Sequence, residues 1–447
     1  MTDTSKVGYL SLGCPKALVD SENIVTALAD QGYNVVAAEE ESNLLVINTC
    51  GFIEAAEEES FAAIEEALAQ QREVVVTGCL GARADQLRQR FPQLRHISGP
   101  AQVTPVVDAV RTYQPLVQHP EALTIDTEQR TRLTPEHYAY VKISEGCNHK
   151  CTFCIIPSMR GPLVSRQIDA VLREIEQAVH AGAREILLIA QDLSAYGLDQ
   201  RYALRPWAGE EIATRLGELC AAAGEIAPWV RLHYVYPYPH VDSVIPLMRD
   251  GLVLPYLDMP LQHASPTVLK AMRRPAAAQK SLERILRWRE ICPELAIRST
   301  FIVGFPGETD DDVGQLLDFL EAAQLDRVGC FTYSAIDGAQ ANRLDGHVAE
   351  REKLDRQERV YETQGPISAA RLDRLLGTTQ RVLIDELEDA GRARGRTRFD
   401  APDIDGEVYI DAAAGVKPGD FAWVAIERHD DHDLHGTLAG TRVALLD

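Results

Sequence analysis

The chain has 447 residues, 45% of them apolar and 25% charged, an ordinary balance for a soluble globular protein. Its 67 acidic residues outnumber 45 basic ones, and the formal net charge of −22 argues against holding nucleic acid by bulk phosphate neutralisation. No apolar run reaches membrane-spanning length, and the start MTDTSKVGYLSLG lacks a signal design, so a cytoplasmic protein without membrane contact is expected. Nine cysteines in such a protein point to metal ligands, reactive thiols or packed apolar groups rather than disulfides.

Strand and helix signals alternate over residues 1–115. VGYLSLG (7–13), NLLVINTCG (43–51) and EVVVTGCLG (73–81) read as strands of a parallel, doubly covered sheet. The first helix is expected to begin at Asp20 or Ser21 and stop at Gly32, and the second to run from about Glu54 to Gln70. Residues 116–136 are polar, with prolines and no period, and read as a linker.

A second α/β series fills 137–375. Its strand candidates are AYVKIS, EILLIAQD, WVRLHYVYP, PYLDMPLQ, IRSTFIVGF and DRVGCFTYS, with helical patterns such as 169–182 and 310–324 between them. Six βα units are too few for a closed eight-stranded barrel, so an open, partial (βα)6 barrel is expected. After a helical stretch at 349–376, residues 376–447 change character. TQRVLIDEL, EVYID and DFAWVAIER are short strands separated by turns, which suggests a small all-β barrel. This last part is net acidic apart from one basic string, RARGRTR (392–398).

The chemistry is carried by cysteine spacing. Cys147, Cys151 and Cys154 form a C-x3-C-x2-C run just past the first strand of the partial barrel, at the edge where α/β barrels place their chemistry. A structural zinc site wants paired Cys-x2-Cys halves, and here only His149 offers itself as a fourth ligand. A 4Fe-4S cluster held by three thiolates, with one iron open, fits better. Cys14, Cys50 and Cys79 each end a strand of the N-terminal sheet, beside a glycine and ahead of a helix. The carboxyl ends of parallel strands share one edge, so these three should converge on a second three-ligand metal site. Cys220, Cys292 and Cys330 show no such pattern and read as packed thiols. Gln191, Asp192, Tyr236, Gln262, His263 and the GFPGE turn (Gly304 to Glu308) also fall at barrel strand ends, and His263 alone reads as a structural histidine.

The C-x3-C-x-aromatic-C run after the first strand of a six-unit barrel resembles the signature of radical S-adenosylmethionine (SAM) enzymes. With the three-cysteine N-terminal domain and a C-terminal barrel similar to a TRAM domain, the whole chain resembles the methylthiotransferases. SLGCPK, NTCGFI, GCNHKCTFCIIPSMRG, RLHYVYPYPH and PYLDMPLQHAS are similar to its ribosomal branch. That resemblance implies methylthiolation of the β-carbon of an aspartate in small-subunit ribosomal protein twelve. It implies two 4Fe-4S clusters, one on Cys147, Cys151 and Cys154 that binds and cleaves SAM, and one on Cys14, Cys50 and Cys79 that carries the sulfur. SAM would be both radical source and methyl donor, and flavodoxin or ferredoxin the electron donor. The family's SAM-contacting positions fall on Phe153, near Gln191, and on Gly304 to Glu308. The acidic C-terminal barrel favours a protein target, although RARGRTR could touch ribosomal RNA. Two alternatives stay open: the same chemistry on a tRNA adenosine, and a zinc-stabilised RNA-binding protein.

Overall fold

The computed structural model describes residues 6–38, 40, 42–116, 130–274 and 278–439. The N-terminal sheet is made of β1 (Lys6–Ser11), β2 (Asn34–Ala37), β3 (Leu44–Thr49), β4 (Glu73–Gly78) and β5 (His96–Ile97). All are parallel, in the order β2-β1-β3-β4-β5. β2 and β5 are edge strands too short to show a period in sequence. Every residue of β3, LLVINT, is buried, because helices cover both faces of the sheet. Residues of α1 (Pro15–Asp30) pack on one face, and those of α2 (Glu54–Ala69) and α3 (Ala84–Arg90) on the other. Helix α4 (Val103–Tyr113) packs beside α1.

Helix α1 starts at Pro15 with Cys14 as its N-cap, not at Asp20 or Ser21. Proline suits the first helical position, where its missing N–H has no partner to lose. Asp20 and Ser21 look like caps because both are short and polar. They are instead buried within the helix, where Asp20 accepts from Lys142 and Arg160, and Ser21 Oγ accepts from Asn48 Nδ2 at 2.8 Å.

The central domain runs through β6 (Tyr138–Lys142), the hairpin of β7 (Ser144–Glu145) and β8 (Val164–Ser165), β9 (Glu185–Ile189), the hairpin of β10 (Leu204–Trp207) and β11 (Glu210–Ala213), β12 (Trp229–Leu232), β13 (Tyr256–Asp258), β14 (Ala296–Val303) and β15 (Arg327–Thr332). The hairpins aside, six parallel strands lie in the order β15-β14-β13-β12-β9-β6, the expected open barrel. Its outer face is apolar and helix-covered; Val141, Ile186, Leu188 and Val230 meet Ile175, Leu219 and Ala223 there. The inner face at β6 and β9 is also apolar. Tyr138, Tyr140, Leu187 and Ile189 pack against Leu18 and Val19 of α1. The N-terminal domain therefore covers part of the concave face that six strands leave open. At the junction, Arg130 pairs with Glu22 of α1 at 3.0 Å and with Glu174 at 2.8 Å. The rest of the expected linker lies mostly outside the described residues.

The C-terminal part closes into a barrel of β16 (Thr379–Glu388), β17 (Arg392–Thr397), β18 (Val408–Asp411), β19 (Phe421–His429) and β20 (Leu434–Leu438). Three of these strands match the expected ones. β17 is the basic string itself, where arginine alternates with small residues. Its arginines are paired with carboxylates: Arg392 with Glu388, Arg394 with Glu386 and Glu407, Arg396 with Glu185 and Asp385, and Arg398 with Glu294. The barrel sits under the amino-terminal ends of the central strands. Fully buried Glu185 accepts from Arg231 Nε and Arg396 Nη1, each at 2.6 Å, and Trp229 meets Phe421 edge-on at 5.0 Å. Among the described residues, no helix is long and apolar enough to cross a membrane.

Candidate active site: two cysteine triplets at the domain junction

The first triplet rides on a loop pinned by its own backbone. Cys147 N–H donates to Gly161 O at 3.1 Å, and Thr152 donates through N–H to Met272 O and through Oγ1 to Ala271 O, at 3.1 and 2.9 Å. The N–H groups of His149 and Ile156 donate to Cys147 Sγ and Cys154 Sγ, both at 3.4 Å. Arg274 Nη1 lies 3.8 Å from Cys151 Sγ and its guanidinium sits 4.1 Å over the Tyr236 ring. Burial pushes the Cys147 thiol up to about 11 and that of Cys154 up to about 12, and the neighbouring thiols add to this. His149 is committed elsewhere: Nε2 meets Asp192 Oδ2 at 2.7 Å, and the ring stacks on Tyr236 with centroids 4.2 Å apart.

The second triplet is assembled by topology. β1, β3 and β4 are adjacent in the sheet, so Cys14, Cys50 and Cys79, which follow them, share one edge. The turn at Gly13 (φ +96°) brings the chain so close to the next strand end that a Cβ there would lie 3.0 Å from Cys50 Cβ. Ser60 Oγ clamps Cys50, accepting from its N–H at 3.0 Å and donating to its carbonyl at 2.8 Å. Burial acts to raise all three thiols. At Cys14 it is overcome by Lys16, Arg160 and the N–H groups of Ala17 and Lys16, which hold that thiol below its ordinary value. Cys50 stays raised, and Cys79 is pushed up to about 11 although Arg160 pulls the other way.

Arg160 stands where the two domains meet. It ends α5 (Ile156–Arg160), directly after the first triplet's loop. Its side chain is 1% exposed, and Nη1 donates to Asp20 Oδ2 at 3.1 Å and Glu145 Oε1 at 3.0 Å. Glu145 also accepts from Lys142 Nζ at 2.6 Å and Gln191 Nε2 at 2.7 Å. Burial alone would raise Glu145, but Lys142 and Arg160 outweigh it and hold the carboxyl at about 2. Met159 packs on Cys79. Beside them a cavity of about 460 Å³ has Gly81, Ser98 and Gln102 on one wall and Glu145, Met159 and Arg160 on the other. Glu145, Arg160 and Arg274 carry no motif of their own in the sequence; the usable signal for the first two is that a charged residue flanks the cysteine run at each end, Glu145 two residues before Cys147 and Arg160 six after Cys154.

The remaining expected positions fall in two places. Gln191 joins the Glu145 network, with Oε1 buried and without a hydrogen-bond partner among the described residues. Phe153 packs against the cluster that contains Phe305, so it neighbours the GFPGE turn. Within that turn the close neighbour of Gly304 (φ +73°) is the Lys353 side chain. The Glu308 carboxylate is taken up by Gly304 N–H at 2.8 Å, Phe305 N–H at 3.3 Å and Arg356 Nη1 at 2.9 Å, so it shapes the turn rather than projecting from it. Buried His263 accepts from Ser265 N–H at 2.9 Å, the structural role expected. Cys220, Cys292 and Cys330 are buried thiols.

Residues 6–99 match the family model for uncharacterized protein family UPF0004, 141–320 the radical SAM superfamily, and 376–439 the TRAM domain. Curated relatives named ribosomal protein uS12 methylthiotransferase RimO align over nearly the full length. That of Marinobacter nauticus is 55% identical, covering 97% of this chain and 96% of its own. That of Escherichia fergusonii is 53% identical, covering 98% and 99%. The chain belongs to the RimO family. It is thus a radical SAM methylthiotransferase, of a family that works with an iron–sulfur cluster and SAM. Among solved structures, the radical SAM methyltransferase TsrM from Kitasatospora setae, with cobalamin and a [4Fe-4S] cluster bound, shares the fold at TM-score 0.51 and 14% identity. The match covers 75% of this chain and 77% of that one.

The donor chemistry of each triplet fits an iron–sulfur cluster: three soft thiols, largely withdrawn from water, with a guanidinium alongside. Among the described residues, no three His, Cys, Asp or Glu side chains close round one point as the ligands of a single ion do. A four-iron cluster holds its thiolates further apart than one tetrahedral ion does.

Proposed function

We propose that this enzyme adds a methylthio group to the β-carbon of an aspartate in ribosomal protein uS12. In this reading Cys147, Cys151 and Cys154 hold one 4Fe-4S cluster, and Cys14, Cys50 and Cys79 a second. The observation that carries it is that Ile155 and Met159, directly past the first triplet, pack on Cys79 of the second, while the buried Arg160 that follows them pairs with Asp20 of the N-terminal domain. The names of the curated relatives supply the substrate. When bound, the clusters and SAM provide a hydrogen-abstracting radical and a methylthio donor.

The chain's own residues then have positioning work. Gln191 and Glu145 present polar atoms between the two strand edges. In the SAM-contact reading, Phe153, which packs with Phe305 of the Gly304 to Glu308 turn, would help wall one side of the first triplet. Four salt-bridged arginines, three on β17 and Arg398 just past it, leave little free positive charge for RNA there, which favours a protein target over tRNA. The working division is 1–115, 137–375 and 376–447, with a flavodoxin- or ferredoxin-type reductant. Anaerobically reconstituted enzyme, given uS12 in small ribosomal subunits and, separately, tRNA, tests the substrate by mass spectrometry. A methylthio mass gain on the uS12 aspartate is expected; a gain on tRNA alone would sink the proposal.

A further inference from the structure

Two arginines divide the cysteines between them. Arg160 follows Met159, which packs on Cys79 of the N-terminal triplet. Arg274 Nη1 approaches Cys151 Sγ of the other triplet at 3.8 Å. Arg160 is the more deeply committed of the two. Its Nη1 is satisfied by Asp20 and Glu145, whereas its buried Nη2 finds no oxygen acceptor among the described residues, and the group within its reach is the Cys79 thiol. Leaving a buried guanidinium donor unpaired is costly, so such a group marks a place where an acceptor belongs. Among the described residues, no further carboxylate supplies that acceptor. What lies alongside is Cys79, packed on Met159, together with the cavity that Arg160 helps to line.

We infer that Arg160 is a positioning residue for the Cys14, Cys50 and Cys79 cluster: its free Nη2 donates to the cluster's sulfur acceptors, and its charge raises that cluster's reduction potential independently of the Cys147 cluster, which Arg274 serves. The inference rests on the two-cluster reading above. Reduction of a cluster adds one electron and so one unit of negative charge to a buried site that already holds three thiolates. A cation fixed alongside favours the reduced form, and hydrogen bonds to sulfur act in the same direction. Asp20, Glu145 and Lys142 surround the other edge of the guanidinium. They fix its orientation, so the free edge stays turned away from them.

The experiment is an anaerobic potentiometric titration of the reconstituted full chain with dithionite, read by electron paramagnetic resonance. Triple-alanine variants of each cysteine set assign the two signals. In Arg160→Gln, the midpoint of the N-terminal cluster should fall by at least the equivalent of a tenfold change in its oxidised-to-reduced ratio, about 59 mV for one electron. The Cys147 cluster should hold its midpoint. Arg274→Gln should give the converse. Arg160→Lys keeps the charge but loses the planar fork, and should show a smaller fall confined to the same cluster; it carries the test if the glutamine variant does not load. An unmoved N-terminal midpoint in these variants, or an equal shift of both clusters, overturns the inference. Iron content in the wild type separates the failures: enough for one cluster only defeats the two-cluster reading, whereas a full count with unmoved potentials defeats the role of Arg160 alone.

Discussion

The two cysteine triplets have the same ligand chemistry and opposite origins. One is written into eight consecutive residues, 147–154, and its loop is held mainly by backbone hydrogen bonds. The other spans 14–79 and exists only because three parallel strands end on one edge. A local motif can be assembled before the domain is complete, whereas a topological one requires the whole sheet. Mutations remote from the cysteines should therefore harm the second site and spare the first.

The largest expected effects come from the ligands themselves. Alanine at Cys147, Cys151 and Cys154 should abolish SAM cleavage, measured as 5′-deoxyadenosine release. Alanine at Cys14, Cys50 and Cys79 should leave cleavage intact and stop sulfur insertion; a variant of this kind that still methylthiolates breaks the assignment of separate roles. Next in size is the barrel junction. Glu185→Gln leaves the fully buried Arg231 and Arg396 guanidinium groups without their shared carboxylate, and should cost about 3–5 kcal/mol in chemical denaturation. Ser60→Ala removes the clamp on Cys50 and should cost about 1–3 kcal/mol, with iron lost from the N-terminal site before the Cys147 site. Equal loss from both would show that the two sites do not differ in how they are supported.

A pH experiment sharpens the same contrast at the junction. The Glu145 carboxyl is depressed from 4.5 to about 2, with burial opposing and Lys142 and Arg160 prevailing. A depressed carboxylate contributes stability that is complete above its unfolded value and is lost as pH falls through its folded value. Wild-type stability should thus decline between pH 4.5 and about 2, and Glu145→Gln should flatten that decline in urea midpoints measured across the range. The smallest expected effect is at Thr309, whose side chain caps the helix Asp310–Ala323 in a capping box. Thr309→Ala should cost about 1 kcal/mol and leave both metal sites loaded.

Much of this was legible in the sequence because it rests on local rules. Glycine beside cysteine at the end of a β-rich run announced the strand-edge thiols, and six βα units announced the open barrel. What was not legible depends on partners far along the chain. Asp20 looks like a helix cap because that preference is local, while its actual partners, Lys142 and Arg160, lie more than a hundred residues away. The pairing of RARGRTR could not be seen locally either, because Glu185 and Glu294, two of its carboxylate partners, belong to another domain. Pro15 was the local signal that would have placed the start of α1 correctly.

The central claim is one cluster for each triplet. Iron and acid-labile sulfide counts on anaerobically reconstituted wild type and on the two triple-alanine variants, with matching paramagnetic resonance spectra, test it most directly. The account predicts about eight iron and eight sulfide per wild-type chain, and about four of each in either variant, in line with four-iron clusters. Zinc in place of iron, or a wild-type count of about four that only one of the triplets controls, would contradict it.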